Sequence, residues 1–295
     1  MLLPSSRTPL SAPVEAAVWM LLAAMAFGTA NTLIRHAALS LHPFQVVFFR
    51  NLFSLLFMLG WISARTGFGA LRTGRLRLYV VRAATGLCAM LTWFWGVANM
   101  PLADATALSF TTPLFTTIGA ALLLGEVVRL RRWLAVVVGF AGVLIILRPS
   151  ADSLSVAALA VLASCIFAAL SALQVRTLAR SETSTAMVTY MVLLLTPMSL
   201  VPALFVWRWP DPATLVWLAV LGGILTGAHV AMTRAFQLAE ASAVMPYDYA
   251  KLPFTALLAY LLYGEVMDAW GWVGAGVIAT STLYIAHREA TAGRG

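Results

Sequence analysis

The chain is 295 residues long, 61% hydrophobic and only 10% charged, with a formal net charge of +8. Soluble domains are about half apolar and a quarter charged, so this composition excludes a water-soluble globular protein. The positive balance lies in short loops between apolar runs and reads as membrane topology and contact with anionic lipid, not as a nucleic-acid footprint.

Residues 1–15 are polar and contain prolines, and are expected to be a disordered cytoplasmic N-terminus. Ten apolar runs follow, at 17–38, 43–64, 77–98, 102–124, 131–148, 154–176, 185–206, 213–238, 241–263 and 267–286. Runs of roughly 20 apolar residues are long enough to cross a bilayer as helices. The first exceeds the core of a signal peptide and has a single Arg before it, so it reads as an uncleaved helix. The shorter alternating segments of a membrane barrel are absent. The expected fold class is an all-α membrane protein with ten transmembrane helices and a cytoplasmic tail at 287–295.

The landmarks of the fourth and fifth runs recur in the ninth and tenth. Leu124-Gly125-Glu126 and Tyr263-Gly264-Glu265 lie 139 residues apart, Pro113 and Pro253 lie 140 apart, and Trp133 and Trp270 open the runs that follow. A repeat of about half the chain implies two related halves, 17–148 and 154–286. With both termini in the cytoplasm, twelve arginines fall on the cytoplasmic side, against Arg148, Arg208 and the helix-end Arg35 opposite. That asymmetry is the positive-inside signal. Five helices per half is an odd number, so the second half is inverted. This architecture places a substrate site near the midplane between the halves.

Charges inside spans are costly and mark cavities or partners. Arg50, Arg82, Arg234 and Lys251 are the cations found there. Arg82 is near its helix end and can snorkel; Arg50 and Arg234 are expected to be deeper, as site residues or as structural ion pairs. The ninth run holds Pro246-Tyr247-Asp248-Tyr249-Ala250-Lys251-Leu252-Pro253. Asp248 and Lys251, three apart, share a helix face. Pro246 and Pro253 each leave a carbonyl without its helical donor. Tyr247 and Tyr249 add aromatic faces with hydroxyls. The stretch reads as a ligand site, or as a structural pair that neutralises itself. Its counterpart in the fourth run, Ser109-Phe110-Thr111-Thr112-Pro113, is expected to line or bend the same cavity. Asn31 and Trp95 are further candidates to border it. Glu126 and Glu265 each stand between two helices; capping is the simpler reading and holding a gate closed the alternative. Cys88 and Cys165 read as packing residues, and four dispersed histidines have no metal-ligand spacing, which argues against a metal or a catalytic centre.

The Gly125-Glu126 and Gly264-Glu265 pairs with their trailing Trp and Gly residues, together with Arg50 after Pro43, resemble the EamA-type branch of the drug/metabolite transporter superfamily over about residues 17–286. The resemblance implies a bacterial inner-membrane transporter, not an enzyme, without a cofactor. Its central cavity would be bordered by the first, third, fourth, sixth, eighth and ninth helices. The second half has Tyr190 where the first has Arg50, so no arginine pair across the pseudo-twofold is expected. The expected substrate is a small anionic or zwitterionic, amino-acid-like metabolite, exported by alternating access driven by a gradient or by exchange. Lys251, Arg234 and Arg50 would meet its carboxylate, and Tyr247, Tyr249, Phe110 and Trp95 its apolar part. If protons are coupled, Asp248 is the carrier. Import of a vitamin or nucleotide-like compound, and flipping of a lipid-linked substrate, are the alternatives. Expected partners are that small molecule and anionic lipids at the cytoplasmic face, with a homodimer left open.

Overall fold

A computed structural model describes residues 12–65, 73–125, 130–148, 155–178, 182, 184–238 and 247–292. Among them are the helices α1 (Ala12–Ala37), α2 (Pro43–Arg65), α3 (Leu76–Asn99), α4 (Leu102–Ser109), α5 (Thr112–Leu124) and α6 (Leu130–Leu147). The second half contributes α7 (Val156–Leu178), α8 (Ser184–Leu204), α9 (Pro212–Leu238), α10 (Lys251–Tyr263) and α11 (Ala269–Ala292). No strand occurs among the described residues. Of the polar N-terminus, residues 12–15 already form the first turn of α1. At the other end α11 runs on through 287–292, so those residues are helical.

Seven stretches are long and apolar enough to cross a membrane, the bent pair α4–α5 (Leu102–Leu123) counting as one, while Trp133–Leu147 and Lys251–Tyr263 are shorter apolar helices. Large side chains such as Leu122, Val137 and Val216 are 62–75% exposed. Such surfaces are stable only when hydrocarbon covers them.

Helices pair in the pattern of a pseudo-twofold. α1 packs on α9 as α3 packs on α7, while α2 pairs with α8 and α6 with α11. Each of the last two pairs joins equivalent positions of the two halves. At the α6–α11 crossing a Cβ on Gly142 would lie 2.8 Å from the carbonyl of Gly274, and one on Gly274 would lie 2.7 Å from the carbonyl of Gly142. The contact is therefore reciprocal, and only a hydrogen fits at either position. Hydrocarbon gives helices no hydrophobic reason to associate, so close backbone approach over small residues supplies the attraction instead.

The fourth run, expected as one helix over 102–124, is broken after Ser109. Pro113 has no N–H to give the Ser109 carbonyl, which accepts the Thr112 hydroxyl at 2.9 Å instead. The Thr111 hydroxyl donates to the Leu108 carbonyl at 2.7 Å and that of Ser109 to the Thr106 carbonyl at 2.6 Å. Backbone bonds tighten to i−3 at Phe110 and Thr111. The ninth run bends in the same register. Tyr249 and Ala250 form a turn, Leu252 N–H returns to the Tyr249 carbonyl at 3.1 Å, and α10 starts at Lys251. Pro113 and Pro253 thus set two breaks facing each other across the halves.

Candidate functional site

The two breaks meet, since α10 packs on α4. Phe110, the C-cap of α4, lies with its ring centroid 4.5 Å from that of Tyr249. Lys251 Nζ stands 4.9 Å from the Phe110 ring centre and 3.2 Å from Asp248 Oδ2. The side chains of Lys251 and Asp248 are 16% and 23% exposed, so the pair is largely dehydrated. Its ammonium is held between a carboxylate and an aromatic face, both of which strengthen as water leaves. Tyr247 is 40% exposed beside it. Lys251, Asp248, Tyr249 and Phe110 therefore form one cluster, built from both halves. A separate groove of about 330 Å³ between α6 and α11 is lined by Leu134, Ala135, Val138, Thr280, Ser281 and Tyr284, none of which belongs to it.

The other expected site residues make their described polar contacts elsewhere. Asn31 is buried on α1, and Trp95 is half-buried on α3, where its carbonyl accepts the Asn99 amide at 2.8 Å. Arg50 is buried on α2, with Nη1 donating to Asn51 Oδ1 at 2.6 Å. Arg234, expected deep, is corrected: it lies in the last turns of α9 with its side chain half exposed, 3.9 Å from Glu15 on α1. Its long stem lets the guanidinium reach the helix end, where a carboxylate and water are available. Pro246 and Glu126 lie outside the described residues.

Glu265 follows the last turn of α10, and its partners come from the other half. Oε1 lies 2.5 Å from Arg35 Nη2, and Oε2 accepts the Leu102 N–H, the first of α4, at 2.8 Å. The carboxylate therefore caps a helix of the opposite repeat rather than its own successor. Arg35 also donates to the Met100 carbonyl at 2.8 Å and stacks 5.1 Å from the Tyr263 ring centre, whose hydroxyl donates to the Thr32 carbonyl at 3.0 Å. Close by, Arg148 pairs with Asp268, whose Oδ1 accepts the Gly271 N–H at 2.7 Å. That N–H and the Arg148 guanidinium hold the Asp268 carboxyl below its usual range.

This clasp was not found as a unit by sequence reasoning. A signal was present. Arg35, Arg148 and Arg208 are the exceptions to the arginine asymmetry, and two of them pair with carboxylates within the short stretch 265–268. The third is also tied down: Gln45 donates to the Arg208 carbonyl at 2.8 Å and accepts its N–H at 3.2 Å. No group of three or more metal-ligating side chains occurs among the described residues.

An all-helical membrane chain with two broken helices meeting between inverted halves defines a membrane transporter that moves a small molecule. The model of the EamA-like transporter family matches residues 15–148 and again 155–286, and the chain belongs to that family. It is 34% identical to a riboflavin transporter of Vibrio cholerae, over 94% of each chain. It is 31% identical to an S-adenosylmethionine uptake transporter of Rickettsia prowazekii, over 92% of each. It is also 31% identical to a pseudopaline exporter of Pseudomonas aeruginosa, over 91% of this chain and 94% of that one. The protein is a multi-pass transporter of the bacterial inner membrane, not an enzyme.

Proposed function

We propose that the chain imports a metabolite with a planar heteroaromatic ring, of the riboflavin class, through a site formed by Lys251, Asp248, Tyr249 and Phe110. The carrying observation is the cation and two aromatic rings gathered where both halves break their helices: Lys251 Nζ lies 4.9 Å from the Phe110 ring centre and that ring 4.5 Å from Tyr249. A flat ring stacks on such faces, and the Tyr249 hydroxyl offers a hydrogen-bonding handle beside them. The relatives named for riboflavin and for S-adenosylmethionine, both ring-bearing compounds, support this reading. Tyr247, Trp95 and Asn31 would complete the walls.

In this reading the chain crosses the bilayer ten times, with both termini cytoplasmic and the halves 17–148 and 154–286 rocking around the site. The Arg35–Glu265 clasp then lies on the periplasmic face and holds it shut, so the site opens to the cytoplasm. Glu126 is the corresponding position of the first half, and Pro113, Pro246 and Pro253 supply the bends. Anionic lipids would contact the cytoplasmic arginines, and a second copy could pair with the exposed apolar faces.

A second reading, outward transport of a zwitterion carrying an amino-acid moiety, draws on the Lys251–Asp248 pair at 3.2 Å, whose two charges match those of such a substrate. The exporter among the relatives agrees with it. Proteoliposomes separate the two. Uptake of labelled riboflavin that unlabelled riboflavin competes away, and an amino-acid mixture does not, supports the first reading. Efflux of a preloaded labelled amino acid from the vesicles without riboflavin uptake supports the second, and movement of neither compound rejects both.

A further inference from the structure

We infer that the guanidinium of Arg50 receives an anionic oxygen group of the substrate, a phosphate or a carboxylate, so that the transported molecule carries a negative charge as well as a ring. This deepens the reading of the protein as a carrier of ring-bearing metabolites and rests on it.

Arg50 is 3% exposed and is the one charged side chain in the buried set of described residues. Its partners are all neutral. Nη1 donates to Asn51 Oδ1 at 2.6 Å and lies 3.7 Å from the Met90 sulfur on α3. Asn51 is itself turned by its amide nitrogen, which lies 3.4 Å from the Ser199 hydroxyl on α8 and 3.8 Å from Met90, so its oxygen is presented to the arginine. The guanidinium is thereby held from one side. Nε is buried and makes no hydrogen bond, and Nη2 makes none to any described residue. Those two N–H groups are parallel, and they form the fork that fits the two oxygens of a carboxylate or phosphate.

The chemistry left over is specific. A neutral acceptor would satisfy the N–H groups and leave the charge uncompensated in apolar surroundings; an anionic group does both. Arg82 is the contrast on α3. Its Nε is likewise buried without a partner, but its Nη1 donates to the Met187 carbonyl at 2.9 Å and its Nη2 lies 3.7 Å from the Met191 sulfur, so both terminal nitrogens are spent on α8 and no Nε–Nη2 fork is left open. The pseudo-twofold supplies no second fork, since Tyr190 takes the place of Arg50 and stacks on Tyr79 at 4.6 Å between ring centres. A single anionic group per molecule follows. Lys251 keeps its own carboxylate in Asp248, so the net charge available to a ligand resides at Arg50.

The test uses the full chain in lipid nanodiscs and paired probes that differ only by a phosphate: riboflavin with flavin mononucleotide, and adenosine with adenosine monophosphate. Dissociation constants are measured for wild type, Arg50→Gln and Arg50→Lys, with thermal unfolding to verify that each variant is folded. The phosphorylated member of at least one pair is expected to bind about tenfold more tightly, or more, in the wild type. Arg50→Gln should erase that preference while changing the neutral member's affinity by less than about twofold. Arg50→Lys, which keeps the charge and loses the fork, should retain part of it. Absence of any phosphate preference in both pairs overturns the inference, as does a Gln variant that weakens both members equally. If Arg50→Gln does not fold, an undiminished preference in Arg50→Lys overturns the fork. Silence of the flavin pair with an Arg50-dependent preference in the adenosine pair refutes the riboflavin-class reading and leaves this inference standing.

Discussion

At the scale of single residues, Lys251 carries the most weight because three interactions converge on its ammonium: Asp248 at 3.2 Å, the Phe110 ring at 4.9 Å and, in the proposed reading, the substrate. A desolvated cation–π contact is worth up to about 2 kcal/mol, and the carboxylate adds a comparable attraction. Lys251→Met keeps the length of the side chain and removes both. We expect the variant to insert normally but to lose riboflavin binding by tenfold or more in a titration. Wild-type affinity in that variant would remove Lys251 from the site. Asp268 offers a pH test. Its folded carboxyl titrates below the unfolded value of 3.8, held down by the Gly271 N–H and Arg148. A depressed carboxyl contributes stability that is complete above the unfolded value and is lost as pH falls through the folded one. The melting temperature should therefore fall more steeply below about pH 4 in wild type than in Asp268→Asn, whereas identical acid limbs would dissociate the pair from stability.

Helices show how local rules and packing divide the work. Pro113 was legible as a helix breaker, and the hydroxyls of Ser109, Thr111 and Thr112 as replacements for lost backbone bonds, because both effects are decided within four residues. Pro113→Ala returns a donor to the Ser109 carbonyl and lets α4 run into α5. Its melting temperature should hold or rise while the transport rate falls several-fold; unchanged transport would show that the bend is dispensable. At the α6–α11 crossing, Gly142→Leu should cost about 1–3 kcal/mol or more by overpacking, since its Cβ would already stand 2.8 Å from a carbonyl. A melting temperature equal to wild type would show that the two helices separate without loss. Arg234 marks the limit of reading along a helix: its place in the run suggested depth, and the structure puts it beside Glu15 at the helix end.

Across the whole molecule, the clasp joins residues 230 positions apart, Arg35 and Glu265, and through Leu102 ties α1, α4 and α10 into one closed face. Its side chains are 22% and 18% exposed, so the charge-assisted contact is worth about 2 kcal/mol, far more than a surface pair. Closure that strong must be offset by substrate or by a matching contact on the other face if the halves are to rock. Arg35→Glu and Glu265→Arg should each lower transport at least tenfold, and the double swap should recover part of it, with a coupling of about 1–3 kcal/mol. Equal losses in single and double variants would make the contact incidental to transport.

Composition, the 139-residue repeat, the helical membrane class and the arginine asymmetry came from the sequence alone. All four depend on the solvent, the bilayer, whose demands act on each segment separately: length, apolarity and satisfied backbone groups. The breaks at Pro113 and Pro253 were equally local. Which side chains meet across the halves was decided only by tertiary structure. Phe110 lies over Lys251, and Glu265 reaches Arg35 and the first N–H of α4, because the two halves pack as pseudo-twofold mates and bring positions more than a hundred residues apart into contact. Helical periodicity orders the residues on one helix face and carries no information about the face opposite.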